Sequence, residues 1–230
     1  MAPEKLSRLA VIEQALKVAD TDGVEALTIR RLAQDLGVTP MALYWHFKNK
    51  DELLAGVAEH VMADVTPDFD PADPWNGRLR KMVEALVGVL RRHPSAHDIF
   101  HGVEKGQMHS FTRATEAALD LLSTAGFTLT EGFRIASYLL DGSLALVDGE
   151  PGCPKYMTPQ EAVEWRRQKR LALESLPADQ FPLMVEFSQT FEIEPDLEEF
   201  YAFGIDLLMA GVEAMAAKKA PSSATPSSTA

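Results

Sequence analysis

A chain of 230 residues, 46% hydrophobic and 24% charged, can bury a sizeable core and has room for one or two domains. Its one cysteine, Cys153, excludes an intramolecular disulfide framework and reads as a spectator in a Pro/Gly loop; no apolar signal region follows the N-terminus and no uninterrupted apolar run approaches about 18 residues, so a cytoplasmic protein that neither enters nor spans a membrane is expected. The net charge of -12 argues against nucleic acid only until its distribution is read, because residues 1–50 hold seven Lys/Arg against six Asp/Glu while the remainder holds 15 against 28.

The first predicted element is a helix from Ser7, its N-cap, to Thr21, with Leu9, Ile12, Leu16 and Ala19 on the buried face and Asp22-Gly23 ending it. From Thr28 the run TIRRLAQDLGVTPMALYWHFKNK places Ile29, Leu32, Ala33 and Leu36 at helical spacing, stops at Gly37, and resumes with Leu43 and Phe47. Two short helices about a tight turn follow: Gly37 gives the backbone its freedom, Val38 tucks beneath, and Thr39 and Pro40 supply an N-cap and a first helical residue. Such a helix-turn-helix sends its second helix into the DNA major groove, N-terminal residues against base edges. Thr28 offers a hydroxyl to phosphate, and Arg30 suits guanine or phosphate. A fourth helix opens at Asn49, which with Glu52 has the form of a capping box, and Leu53, Leu54, Val57, Val61 and Met62 carry it on. Residues 1–50 thus form a head that helix 49–64 connects to the rest.

Prolines 67, 71 and 74 among acidic residues make 64–73 a loop or hinge. A helical second domain, 65–218, is predicted from Trp75–Arg92, Ser95–His101 and Gln107–Thr124, then a long apolar helix opened by Thr130-Glu131 and reaching Asp148. Gln160–Leu176 is amphipathic, 177–195 is mixed, Asp196 caps a helix to about Lys218, and 219–230 is a low-complexity tail expected to be disordered. With no strand pattern or repeat, the fold class is all-α. The helices at about 130–148 and 196–218 are apolar around much of their circumference and carry small residues such as Gly142 and Gly211, so each needs a further neighbour. Pairing both with a second copy satisfies that need in a homodimer.

Residues Ser7 to about Leu54 resemble the DNA-binding domain of the tetracycline-repressor (TetR) family, on the strength of ADTDGVEAL, LTIRRLAQDLGV and LYWHFKNKDELL. The resemblance implies a homodimer on a palindromic double-stranded DNA operator. It marks Thr39, Tyr44, His46 and Lys50 as contacts to the DNA backbone and Pro40, Met41 and Ala42 as residues that face bases. Trp45 suits packing or phosphate equally. Tetracycline-binding members have glutamine and proline where this chain has Pro40 and Met41, so their operator does not carry over.

The second domain is expected to bind a small-molecule effector and no resident cofactor or metal. Its candidate pocket residues are the aromatic and sulfur side chains Trp75, Met82, Phe100, Met108, Phe111, Tyr138 and Trp165, with Leu86 and the polar handles His97 and His101; Phe133 is a further interior candidate. Phe100 aligns with the histidine through which tetracycline-binding members hold a magnesium chelate, so a tetracycline–magnesium effector is not expected. An enzyme is the rival class, because His97 and His101 stand four residues apart, and a helical scaffold without DNA is a third. Pro94 breaks the histidine segment, no glutamate lies between the pair in HExxH order, and no phosphate loop or nucleophile motif occurs, so catalysis is not expected.

Overall fold

The structure is a computed structural model that describes residues 6–152 and 157–219. Cys153 and residues 220–230 lie outside the described residues, and with them the spectator-loop and disordered-tail expectations. All regular structure among the described residues is helical.

Ser7 opens α1 (Arg8–Asp22) by accepting the Ala10 amide at 3.0 Å. The buried stripe of α1 runs through Val11, Ala15 and Val18, which leaves Leu9 at its edge, half exposed rather than buried as expected. A single 3-10 turn over Val24–Ala26 leads to α2 (Ile29–Asp35), where the Thr28 hydroxyl accepts the Arg31 amide. Gly37 takes φ 66, a conformation in which a Cβ is strained, and lets the Val38 amide return to the Ala33 carbonyl. α3 (Pro40–Tyr44) follows, then α4 (Lys50–Ala63). Leu32, Leu43, Phe47 and Leu53 are buried almost completely where α1 to α4 meet, each contributing about 2 kcal/mol of transfer free energy.

Three caps differ from the sequence expectation. Thr39 stands at the N-cap of α3, but its hydroxyl caps nothing. At α4, Asn49 accepts the Glu52 amide at 2.7 Å, yet Glu52 answers to the Lys48 amide, one residue earlier than a capping box requires. The long helix α8 (Leu129–Asp148) is capped by Thr128 rather than opened by Thr130: Thr128 and Glu131 exchange the reciprocal bonds.

The chain forms two compact units, one of Met1–Asp148 with Ile205–Ala230 and one of Gly149–Gly204. In the first, α5 (Trp75–Arg92), α6 (Ala96–His101), α7 (His109–Thr124) and α8 pack beyond α4. The helix α11 (Leu197–Ala217) begins in the second unit and ends in the first. Its later part buries Ile205, Met209 and Val212 and docks polar groups on α5, Asp206 pairing with Arg80 and Glu213 accepting from Asn76. Leu208 lies so close to Gly142 of α8 that a Cβ there would meet it at 2.6 Å. By length and composition α11 is apolar enough to cross a bilayer, with a mean hydropathy of 1.4. In the second unit, Thr158 and Glu161 form a capping box at α9 (Pro159–Glu174). That helix packs on α10 (Pro182–Phe187) and a 3-10 turn at Ser188–Glu192, with Arg170 paired to Glu192.

Candidate nucleic-acid interface and ligand cavity

In the head, position and partners sort the cations. Arg31 is held by Asp35 at 3.0 Å and Asp22 at 3.1 Å, Asp35 first raising its pKa. Arg8 donates to the His46 carbonyl at 2.5 Å, pairs with Glu52 and stacks over the Phe47 ring at 4.1 Å, so it ties α1 to the end of α3. The Lys48 amide, and after it Arg8, hold the Glu52 carboxyl below its ordinary value. Lys50 gives one of its three ammonium protons to the Val24 carbonyl at 3.1 Å. That bond ties the start of α4 to the 3-10 turn, so Lys50 is in part a structural residue. Arg30 is exposed and makes no ion pair among the described residues. Lys48, the other lysine of the KNK run, is likewise exposed and makes no ion pair among the described residues, and the sequence pattern alone does not single it out.

Around α3 the structure brings Thr39, Pro40, Met41, Ala42, Tyr44, Trp45 and His46 together on one short stretch. Met41, Tyr44 and Trp45 are 68%, 50% and 85% exposed. Three large apolar side chains clustered in water on one turn of helix have no role in the core, and such a patch marks a contact surface. Thr28 and Thr39 are exposed beside Arg30 and Pro40 in sequence, and only the Thr39 hydroxyl is without an intrahelical partner.

Two carboxylates fasten the head to the helices beyond it. Asp20 on α1 accepts from the Ser95 hydroxyl at 2.6 Å and the Ser95 amide at 3.2 Å, and lies 2.8 Å from His93 Nδ1. Glu59 on α4 accepts from the Ser110 hydroxyl at 2.7 Å and amide at 2.9 Å, at the start of α7.

A cavity of about 320 Å³ opens between α4, the 64–74 loop, α5, α7 and α8. Met82, Leu86 and Phe111, expected in the pocket, line it together with Met62 of α4. The other pocket candidates are not brought there. Trp75 lines a separate recess with Asn76 and Lys219, and Phe100 and Met108 are buried in the core. The His97 and His101 rings lie 4.6 Å apart on α6, and Trp165 belongs to the second unit. Tyr138, with Phe133, faces outward on α8, 73% exposed. The reason is helical phase: Ile135, Leu139 and Leu140 take the inner face, and Tyr138 falls opposite. No group of three metal-ligating side chains converges among the described residues.

Residues 66–216 match the tetracyclin repressor-like C-terminal domain, and residues 11–57 match the bacterial regulatory proteins of the tetR family. The chain belongs to the tetracycline-repressor family. It is a DNA-binding transcriptional regulator of that family. This regulator is 31% identical over 220 residues to the tetracycline repressor protein class C of Escherichia coli, covering 92% of each chain. It is 28% identical to the transcriptional repressor DrrR1 of Streptomyces coeruleorubidus, over 93% of this chain and 80% of that protein. Its fold superposes on ActR of Streptomyces coelicolor, solved in complex with actinorhodin, with a TM-score of 0.75 at 24% identity, covering 93% of this chain and 99% of that one.

Proposed function

We propose that the regulator is a homodimeric repressor that holds a palindromic operator through α3 of each copy and releases it when a small molecule fills the cavity beside α4. The observation that carries this reading is the reach of α4: it starts at Lys50, directly after the exposed α3 stretch, and lends Met62 to the cavity wall. A ligand that favours a different tilt of α4 changes the spacing of two heads at once. Decisive release needs about 5 kcal/mol of differential affinity between the two states. The relatives named as repressors support the sign of the output.

On this reading Arg30 and Lys48 supply guanidinium and ammonium to DNA, with Lys50 sharing its charge between Val24 and phosphate. Thr28, Thr39, Tyr44, Trp45 and His46 face the sugar-phosphate backbone, while Pro40, Met41 and Ala42 meet base edges. The dimer surface is α8 with α11, where Leu207 is 67% exposed among the small residues Ala210, Gly211 and Ala214. The acidic remainder of the chain restrains non-specific DNA contact, as suits a protein working in the cytoplasm. Phe100, buried in the core and without a metal-binding atom, supports an effector other than a tetracycline–magnesium chelate.

Gel shifts of the full chain on its own upstream DNA test the reading. Retention of one fragment, abolished by a small molecule that leaves the fold intact, is the expected result. Failure to retain any fragment contradicts it.

A further inference from the structure

The cavity is lined mostly by hydrocarbon and thioether, with three hydroxyls and one charge among them. Of the side chains that line it, Arg113 is the single charged one, on the exposed side of α7, and it makes no ion pair among the described residues. Of the lining hydroxyls, that of Ser110 already donates to Glu59. At the buried end the walls are Leu79, Val83, Leu139 and Leu140, and Ala114 and Ala118 of α7 leave the space that longer side chains would fill. On the loop side stands the Phe69 ring, backed by the Arg78 guanidinium at 5.0 Å. The buried walls of the cavity are therefore apolar, and the exposed Arg113 presents a planar five-proton donor on its open side.

We infer that the effector is an amphipathic carboxylate, its ring or chain seated against the buried walls of the cavity and its carboxylate held at the mouth by Arg113. This rests on the cavity being the effector site. A guanidinium meets a carboxylate through two parallel N–H···O bonds, and at a mouth still open to water neither charge has to be fully desolvated. A neutral ligand of the same shape gains the apolar burial but leaves that fork unused. Thr66 and Thr115, also on the lining, supply hydroxyls for further oxygen atoms.

The test uses pyrenebutyric acid and its methyl ester as fluorescent probes of the full-length wild type, Arg113→Gln and Arg113→Lys. The wild type is expected to bind the acid about tenfold or more tightly than the ester, the worth of a charge-assisted contact. Arg113→Gln should bring acid and ester to equal affinity without weakening the ester, and Arg113→Lys should restore part of the preference. Equal affinities in the wild type, or an undiminished preference in Arg113→Gln, overturn the carboxylate assignment while leaving the cavity as a ligand site. Binding of neither probe, or binding of both that survives filling the cavity by Ala118→Phe, contradicts the cavity reading itself. Thermal unfolding of each variant verifies that the fold is retained.

Discussion

Replacing Glu59 by alanine removes at once the acceptor of the Ser110 amide at 2.9 Å and of the Ser110 hydroxyl at 2.7 Å. Hydrogen bonds to a charged group contribute about 1.5–3 kcal/mol each, and Ser110 is buried, so both donors lose their partner in a poor place to recruit water. Glu59 itself is half-buried, which lets solvent recover part of the loss. A cost of about 3 kcal/mol results. Ser110→Ala keeps the amide bond and loses only the hydroxyl, for about 1.5 kcal/mol, the low end because the Glu59 carboxylate is half open to water. Because both residues act in one small network, the double variant should cost about the same as Glu59→Ala alone. For a chain of this size each kcal/mol moves the thermal midpoint by about 2–4 °C, so midpoints lower by about 6–12 °C for Glu59→Ala and about 3–6 °C for Ser110→Ala are expected at fixed protein concentration. Strictly additive losses in the double variant would refute the coupling, and with it the bond by which α7, a wall of the cavity, grips α4.

In fluorescence anisotropy on the operator, Arg30→Ala should weaken binding about tenfold or more. Arg31→Ala, whose charge is already spent on Asp35 and Asp22, should change affinity far less; the reverse order would move the contact from one arginine to its neighbour. Glu131 accepts from Lys219 and from the Thr128 amide and hydroxyl, with Lys219 the largest cause, and its pKa falls from 4.5 to about 2. A depressed folded pKa means its stabilisation is whole above pH 4.5 and is lost as pH falls from there towards 2. Carboxyl NMR should show that midpoint, moving up in Lys219→Ala; an unmoved midpoint would deny the pair. Leu207→Glu puts a charge on the exposed apolar face of α11 and should shift sedimentation from dimer to monomer while helicity is kept. An unaltered dimer would place the interface elsewhere.

Much of the head was legible locally. Gly37 needs its positive φ, and Ser7 and Asn49 sit where short-range capping alone decides a helix start, as Asp196 does at α11 in the other unit. Ambiguity began where the sequence offered equivalent choices: Thr128 and Thr130 both precede or sit beside Glu131, and the geometry of the incoming loop selects the first. Lys50 reads as a free cation because its acceptor, the Val24 carbonyl, is 26 residues away in a turn with no apolar period. Arg30 and Arg31 carry the same group, and two acids tell them apart: Asp35, one helical turn on from Arg31 and visible in the spacing, and Asp22, which only the α1 to α2 turn brings alongside. The cavity was the least legible part. It is enclosed by side chains from four helices and a loop, and its small lining residues carry no pattern that distinguishes them from ordinary helix surface. Aromatic content pointed instead to Tyr138 and Trp165, which helix phase and the second unit carry away.

The central claim is that two copies of α3, presented together, read one two-fold DNA site. Selection of genomic fragments by the purified full-length protein, followed by sedimentation of the complex on the recovered duplex, tests it most directly. The expected result is an inverted repeat carrying two chains, lost on Arg30→Ala. Retention of no duplex at low salt, or a single chain on a site without two-fold symmetry, would contradict the claim.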